Sequence, residues 1–198
     1  MFGFAAATQL LKRAGDNGYI FEYVCLATAV IDATLRIGLI LKNQLESKSK
    51  DIINELIFQK DEDKIVFERE IYKRAFKEGI ITKDLFDKLD DLYTKRNRVI
   101  HRYVISEITT RQVLEIGIEY ERIIPEISDR IKELEDKQIE LGIGMTIKHI
   151  DSARANLGPD FEEMCAKKHQ SPILSYSFKK DTQSLFDEFK AQGRREPH

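Results

Sequence analysis

The stretch Lys95-Arg-Asn-Arg-Val-Ile-His-Arg-Tyr103 stands at the end of the strongest helical pattern in the chain. Counting back from it, six residues at alternating spacings of four and three fall on one stripe of an α-helix: Leu85, Leu89, Leu92, Arg96, Val99 and Tyr103. Five of the six are apolar or aromatic, and the sixth is Arg96. The pattern predicts a helix over 82–103 whose core-facing stripe carries a guanidinium near its end.

A charge on such a stripe is costly unless it is paired or contacts a ligand. The periodicity leaves two interpretations of Arg96 open. In one, the helix is ending and the long side chain reaches water from the edge of the core. In the other, Arg96 serves an anionic ligand. Its neighbours suit the second interpretation, because Lys95, Arg98 and Arg102 add a basic ridge and Asn97 is able to bind a phosphate oxygen.

His101 follows Arg96 by five positions. In a regular α-helix, five steps turn the chain by about 140° net and rise about 7.5 Å, so the two side chains diverge. For both to address one phosphate, the helix must break or bulge inside the motif, or the second copy must come from another subunit. A following helix with its N-cap at Ser106 or Thr109 would direct free amides toward this corner and favour an anion there.

Helical periodicity covers most of the chain outside the motif as well. Together with the motif helix, the predicted helices span 4–14, 19–41, 46–60, 65–78, 82–103 and 107–140. Short connections between them favour an all-α, up-and-down antiparallel helical bundle over residues 1–140. Residues 141–198 have enough apolar side chains to dock on another surface but no convincing core of their own, so we expect a C-terminal appendage that packs on the bundle or on a second subunit.

Composition restricts the classes of function. The formal net charge of −2 provides no overall field for nucleic acid, so any anion site must be local. The two cysteines, Cys25 and Cys165, lie in no CxxC pair and fit a reducing compartment. Cys165 and His169 lack further ligands at suitable spacing, so we expect no metal site. Every window of about twenty residues contains a charge, and the N-terminus lacks the basic start of a signal peptide, so we expect a cytoplasmic protein and no membrane span.

The string Arg96-Asn97-x3-His101-x-Tyr103, after its leucine-spaced helix, resembles the Arg-x4–6-His motif of the HEPN superfamily, in the Arg-x4-His-x-Tyr form of HEPN toxins. The identifiable core of the resemblance is 82–103, and in length it covers 4–140. The resemblance implies a HEPN-like helical bundle. It also implies a metal-independent endoribonuclease without a cofactor, which acts as a homodimer with the motifs of both subunits in one cleft.

The resemblance also implies roles for the motif residues. His101 would be the general base or acid for attack of a ribose 2′-hydroxyl on the adjacent phosphate. Arg96 would stabilise the charge that develops on the phosphorane, and Asn97 would position the phosphate or His101. The products would be a 2′,3′-cyclic phosphate and a 5′-hydroxyl. The basic ridge would bind RNA through Lys95, Arg98 and Arg102.

Tyr103 has two interpretations. In the toxin branch, a tyrosine at this place is nucleotidylated by a partner nucleotidyltransferase antitoxin, so the resemblance makes Tyr103 a candidate modification site. The residue also completes the apolar stripe, so packing explains it without a partner. Residues 141–198 make this chain longer than the compact toxins of that branch, which favours another subfamily, such as one in phage defence.

Two alternatives to a ribonuclease remain. One is a non-catalytic HEPN-like domain that binds nucleotide or RNA or acts as a scaffold, and the other is a helical interaction module.

Overall fold

The computed structural model describes residues 2–58, 62 and 65–146. These residues form helices and no strand, which confirms the predicted all-α class for this part of the chain. The elements in chain order are α1 (Phe2–Asp16), α2 (Ile20–Ser47), α3 (Asn54–Ile57), α4 (Glu68–Lys77), α5 (Lys83–Arg102), a 3-10 turn (Tyr103–Ile105) and α6 (Thr110–Leu141).

Contacts divide the chain into a unit of residues 7–154 and a second unit of residues 1–6 and 155–198. The motif and the core around it belong to the first unit. Of the predicted appendage, 141–198, only residues 141–146 lie within the described part of the chain. The interpretations of Cys165 and His169 fall outside the described residues.

Four long helices build the core of the first unit. Helix α2 packs against α4 and α6, and α5 packs against the same two helices. The core side chains with almost no exposed surface include Ile31, Leu35, Ile71, Leu85, Leu89, Leu92, Tyr120 and Ile127. Each large aliphatic side chain buried in this way contributes roughly 1.5–3 kcal/mol before entropy is counted. The short α4–α5 and α5–α6 connections turn the chain back on itself, as expected for antiparallel neighbours.

Helix α2 is the most apolar element of the bundle. It is long and apolar enough to cross a membrane by length and composition, and its most apolar window has a mean hydropathy of 2.0. Of that window, 56% is buried against the rest of the protein. The core helix of a helical bundle meets the same criterion of length and composition, so this property suits its place between α4 and α6.

The predicted helix over 46–60 is wrong. Helix α2 ends before Lys48, which adopts the left-handed conformation at φ 52°, and of the described residues 48–58 only Asn54–Ile57 is helical. Serine side chains explain the break, because they compete with helical backbone bonds. The Ser49 hydroxyl accepts a hydrogen bond from the Asp51 backbone N–H at 3.1 Å.

Local capping fixes both ends of the motif helix. After α4, Gly79 adopts the left-handed conformation at φ +69° that commonly ends a helix. The Thr82 hydroxyl accepts the Leu85 backbone N–H at 3.2 Å and begins α5, as predicted. Of the two predicted N-caps for the next helix, Thr109 is the one that caps α6, in a capping box with Gln112.

Candidate functional site

Helix α5 is regular from Lys83 to Arg102, through the whole interval between Arg96 and His101. The break or bulge that would turn both side chains to one side is therefore missing. With regular helical geometry, their directions differ by about 140°. A single chain does not bring Arg96 and His101 together, which leaves a second subunit as the way to unite them.

Arg96 forms an ion pair that the sequence interpretation missed. Its Nη2 donates to Glu68 Oε2 on α4, and the two side chains are only 15% and 16% exposed. The Arg96 Cζ also lies 5.0 Å from the centre of the Tyr93 ring, in a cation–π contact. Arg96 is thus paired at the edge of the core and does not simply extend into water.

The Arg96–Glu68 pair belongs to a group of six residues that interact electrostatically, from α2, α4, α5 and α6. We call it the buried charge cluster, because its two tyrosines are fully buried and its charged side chains are at most 23% exposed. Its members are Asp32, Arg36, Glu68, Tyr72, Arg96 and Tyr120. The Tyr72 hydroxyl donates to Glu68 Oε1. Arg36 Nε donates to Asp32 Oδ2 at 2.7 Å, across the spacing of four residues at which opposite charges on one helix are able to pair. Two acids and two arginines make the cluster neutral when all four are ionised.

Burial controls the titration of the two acids. It raises the pKa of Glu68 above its ordinary value, although the Tyr72 hydroxyl and the Arg96 charge act in the opposite direction. Burial likewise raises the pKa of Asp32, against the effect of Arg36. The negative charge of Asp32 raises the pKa of Glu68 a little further. Desolvation therefore outweighs pairing at both carboxylates.

Three buried polar atoms of the cluster have no hydrogen-bond partner within the described residues: Asp32 Oδ1, Arg96 Nε and Tyr120 Oη. Tyr120 has no exposed surface, and burial raises the pKa of its hydroxyl well above the ordinary value. An arginine has five N–H donors, and Glu68 occupies one edge of the Arg96 group. The Nε donor of Arg96 is itself buried, and Arg96 acts on the Tyr120 hydroxyl by lowering its pKa against the effect of burial. Only the other donors of this guanidinium remain for a ligand.

The other two predicted catalytic residues lie away from the cluster. Asn97 is half-buried and His101 is exposed, and their spacing of four in a regular helix puts them on neighbouring parts of one side. His101 makes no hydrogen bond or ion pair with any other described residue. Asn97 is thus a helical neighbour of His101 on one side of α5.

The predicted basic ridge is only partly available to a ligand. Lys95 Nζ lies 2.8 Å from Asp91 Oδ2 and 3.1 Å from Glu119 Oε2, and the hydrogen bonds to these acids raise its pKa. Its charge is neutralised locally. Arg98 and Arg102 are exposed, share one side of α5, and pair with no other residue in the described ranges. They are the cations of the ridge that remain free for phosphate.

A small cleft of about 190 Å³ lies between α5 and α6. Lys95 and Arg98 line it, but so do Glu115 and Glu119. The mixture of charges makes this cleft a poor anion site. The α6 N-terminus offers few free amides as well, because the Thr109 hydroxyl accepts the Gln112 N–H at 3.3 Å.

Tyr103 begins the 3-10 turn after α5 and is half-buried. Its hydroxyl shares a hydrogen bond of 2.8 Å with Thr110 Oγ1, and its ring meets the Phe21 ring edge-on at 4.7 Å between centroids. The residue joins α2, α5 and α6 at one end of the bundle. Packing therefore accounts for Tyr103 in the single chain.

Apolar residues are exposed on either side of His101. Ile100, Val104 and Ile105 have 43%, 93% and 81% of their surface exposed. Adjacent exposed apolar side chains are typical of a surface that contacts another molecule. We call these three residues the motif-end apolar patch.

No family model, curated protein or solved structure matches this chain. Among the described residues, no group of three or more histidine, cysteine, aspartate or glutamate side chains is arranged to hold a metal ion.

Glu68 is the residue of the site that the sequence interpretation did not find. A signal for it was present, because Glu68 lies three and four residues before the buried Ile71 and Tyr72. It therefore falls on the buried stripe of α4, just as Arg96 falls on the buried stripe of α5. Opposite charges on the core stripes of two neighbouring helices predict an ion pair.

Proposed function

We propose that this protein is a metal-independent endoribonuclease of the HEPN type, built on an up-and-down HEPN-like bundle. The proposal is supported by the all-helical core and by the resemblance of the motif. One observation carries it: His101 is an exposed imidazole without a partner in the described residues, on the helix that holds Arg96 in place. A histidine with that exposure is free to exchange protons with a substrate.

In the proposed reaction, His101 takes the proton of a ribose 2′-hydroxyl. The 2′-oxygen then forms a bond to the adjacent phosphorus, and the bond from phosphorus to the 5′-oxygen breaks. The 5′-oxygen leaves with a proton from solvent water, and His101 then returns its own proton to solvent, so the products are a 2′,3′-cyclic phosphate and a 5′-hydroxyl. Arg96 stabilises the charge on the phosphorane, and the free Arg98 and Arg102 hold the RNA backbone.

The proposed enzyme is a homodimer. Because α5 is regular, Arg96 of one subunit and His101 of the same subunit diverge, so the site needs a second copy of the chain. The motif-end apolar patch flanks His101 and offers a surface for that contact. A composite site would join Arg96 of one protomer to His101 of its partner.

The test is cleavage of a mixed-sequence RNA by purified protein in EDTA. Wild type is expected to cleave and to leave 2′,3′-cyclic phosphate ends, whereas His101→Ala loses about 10²- to 10⁴-fold in rate. Thr94→Ala is a matched control, because this exposed residue lies on the same helix outside the motif. DNA of the same sequence should stay intact, since it lacks the 2′-hydroxyl. Loss of all activity in EDTA, or equal rates for wild type and His101→Ala, would contradict the proposal.

A cellular role in a toxin–antitoxin pair or in phage defence follows from the same resemblance, as does a cytoplasmic location. The proposed antitoxin is a nucleotidyltransferase that acts on Tyr103. Modification would require the Tyr103 hydroxyl to leave Thr110. Mass spectrometry of protein co-expressed with its neighbouring genes should show an added nucleotide on Tyr103, and Tyr103→Phe should lack it. An unmodified Tyr103 would leave packing as its role.

A second function is favoured by one specific observation. Arg96 is engaged by Glu68 inside the single chain, so it already has a structural role. In this alternative, the chain is a non-catalytic HEPN-like domain that binds RNA or a nucleotide through Arg98 and Arg102, or serves as a scaffold. RNA binding that Arg98→Ala weakens, with no cleavage by wild type, would favour this alternative.

A further inference from the structure

The orientation of the Arg96 guanidinium is restricted from two directions. Nη2 donates to Glu68 Oε2, and Cζ lies over the Tyr93 ring at 5.0 Å from its centre. A carboxylate and a ring together limit rotation of the group. Only 15% of the side chain remains exposed and Nε is buried, so any ligand must approach the Nη donors that these contacts leave unused.

Glu68 is itself held in place. The Tyr72 hydroxyl donates to Glu68 Oε1, and Tyr72 is only 1% exposed. The two oxygens of one carboxylate therefore have different partners, a fixed hydroxyl within α4 and the arginine on α5. This arrangement connects the rigid core directly to Arg96.

Stability alone explains this arrangement poorly. Burial raises the pKa of Glu68 in spite of Arg96 and Tyr72. The cost of desolvating the carboxylate is therefore larger than the stabilisation that these two partners provide. Apolar side chains of similar volume often serve stability as well as a buried ion pair does. A buried acid that fixes one guanidinium is better explained by the need for that guanidinium in one orientation.

We propose that Glu68 is a positioning residue that holds the Arg96 guanidinium in one orientation, so that its remaining donors face an approaching phosphate. The catalytic part of this inference rests on the proposed ribonuclease function. The restraint on the Arg96 side chain does not rest on that function, because it is a property of the protein without RNA.

The test compares Glu68→Gln with Asp32→Asn in the full-length protein. Both variants neutralise one acid of the buried charge cluster, but Asp32 pairs with Arg36 and not with Arg96. The first measurement is the ¹⁵N-edited NMR signal of the Arg96 side chain. Wild type and Asp32→Asn should show separate, slowly exchanging Nη signals, and Glu68→Gln should show averaged ones. Chemical unfolding of each variant measures any change in stability separately.

The second measurement is RNA cleavage well below the unfolding temperature. Glu68→Gln is expected to lower kcat by about 10- to 100-fold with less than about threefold change in KM, since small misplacement of a catalytic group has effects of that size. Asp32→Asn should stay within about threefold of wild type in kcat. If Glu68→Gln does not fold, Tyr72→Phe takes its place in the test. This variant removes only the hydroxyl that orients Glu68, and it should lower kcat by about 3- to 10-fold.

Three results would overturn the positioning role. They are averaged Arg96 signals in wild type, equal effects of Glu68→Gln and Asp32→Asn, and an unchanged kcat in a Glu68→Gln variant whose NMR signals are averaged. If wild type does not cleave RNA, the proposed function fails, and the NMR comparison alone decides whether Glu68 fixes Arg96.

Discussion

At the scale of single residues, the central fact is that Arg96 is a charge placed on a core-facing stripe. Its partner Glu68 occupies the equivalent place on α4, so each charge makes the other tolerable. The same pair that supports the fold also holds the group that the proposed reaction needs. A substitution at Arg96 should therefore affect both stability and cleavage, whereas a substitution at His101 should affect cleavage only.

Arg96→Met should destabilise the protein by about 3 kcal/mol at pH 7.5, because it leaves the Glu68 carboxylate buried without its counter-charge. The pKa of Glu68 is already raised by burial, and loss of Arg96 should raise it further. An acid with a raised folded-state pKa favours folding when protonated. This contribution to the free energy of unfolding is present in full below the ordinary pKa of a glutamate, and it is lost as the pH rises through the folded-state pKa. The loss of stability in Arg96→Met should therefore become smaller when the pH is lowered from 7.5 to 5.

Urea unfolding at both pH values measures this deficit. Arg98→Met is the control, because Arg98 is exposed and pairs with no described residue, and its stability should stay within about 0.5 kcal/mol of wild type. An Arg96→Met deficit that stays constant with pH would show that Glu68 is not the acid exposed by the substitution.

At the scale of helices, close packing of α2 on α6 depends on Gly38. A Cβ added there would lie 2.4 Å from Ile131 Cδ1 and 3.3 Å from Ile80 Cγ2. Gly38→Ala should therefore cost about 1–3 kcal/mol through overpacking. Ile131→Val removes the clashing Cδ1 atom, so the double variant should be more stable than the sum of the two single effects predicts. If chemical unfolding showed that the two changes in the free energy of unfolding simply add, the helices would have to separate to accept the methyl group.

The N-terminus of α6 gives a second helix-scale prediction, because the sequence offered two candidate caps. Thr109→Ala should cost about 1 kcal/mol, since it removes the hydroxyl that accepts the Gln112 N–H. Ser106→Ala should cost less than about 0.5 kcal/mol, because its hydroxyl accepts the Ile108 N–H, which lies before the helix and is not one of its free amides. Thermal unfolding compares the two, and equal costs would contradict the assignment of the cap.

The helices show what sequence patterns are able to predict. The stripe of α5, the Gly79 cap and the Asp32–Arg36 pair all follow from local spacing, and each is present. The helix over 46–60 was wrong because serine side chains bind the nearby backbone, an effect that apolar periodicity does not register. Glu68, the ionic partner of Arg96, lies on another helix, and so does Glu119, one of the two partners of Lys95. The pattern of one helix carries no information about which neighbour it meets.

At the scale of the whole molecule, the site proposed for catalysis is incomplete in one chain. The motif-end apolar patch predicts where a second chain would contact it. Val104→Glu places a charge in that patch at the most exposed of its residues, at 93%. It should convert a dimer into monomers in analytical ultracentrifugation and abolish RNA cleavage without loss of helical content. Arg111→Glu, at an exposed position of α6, is a control that should leave the dimer intact.

A mixing experiment tests whether Arg96 and His101 act across the two subunits. Arg96→Ala and His101→Ala homodimers should each be inactive. When the two proteins are unfolded and refolded together, half of the dimers combine one of each, and one of their two composite sites regains both groups. Activity should then recover to about a quarter of the wild-type level. If Arg96 and His101 of the same chain formed each site, no mixed dimer would contain an intact pair. The mixture would then stay as inactive as its components, and the regular helix would have to rearrange to explain any cleavage by wild type.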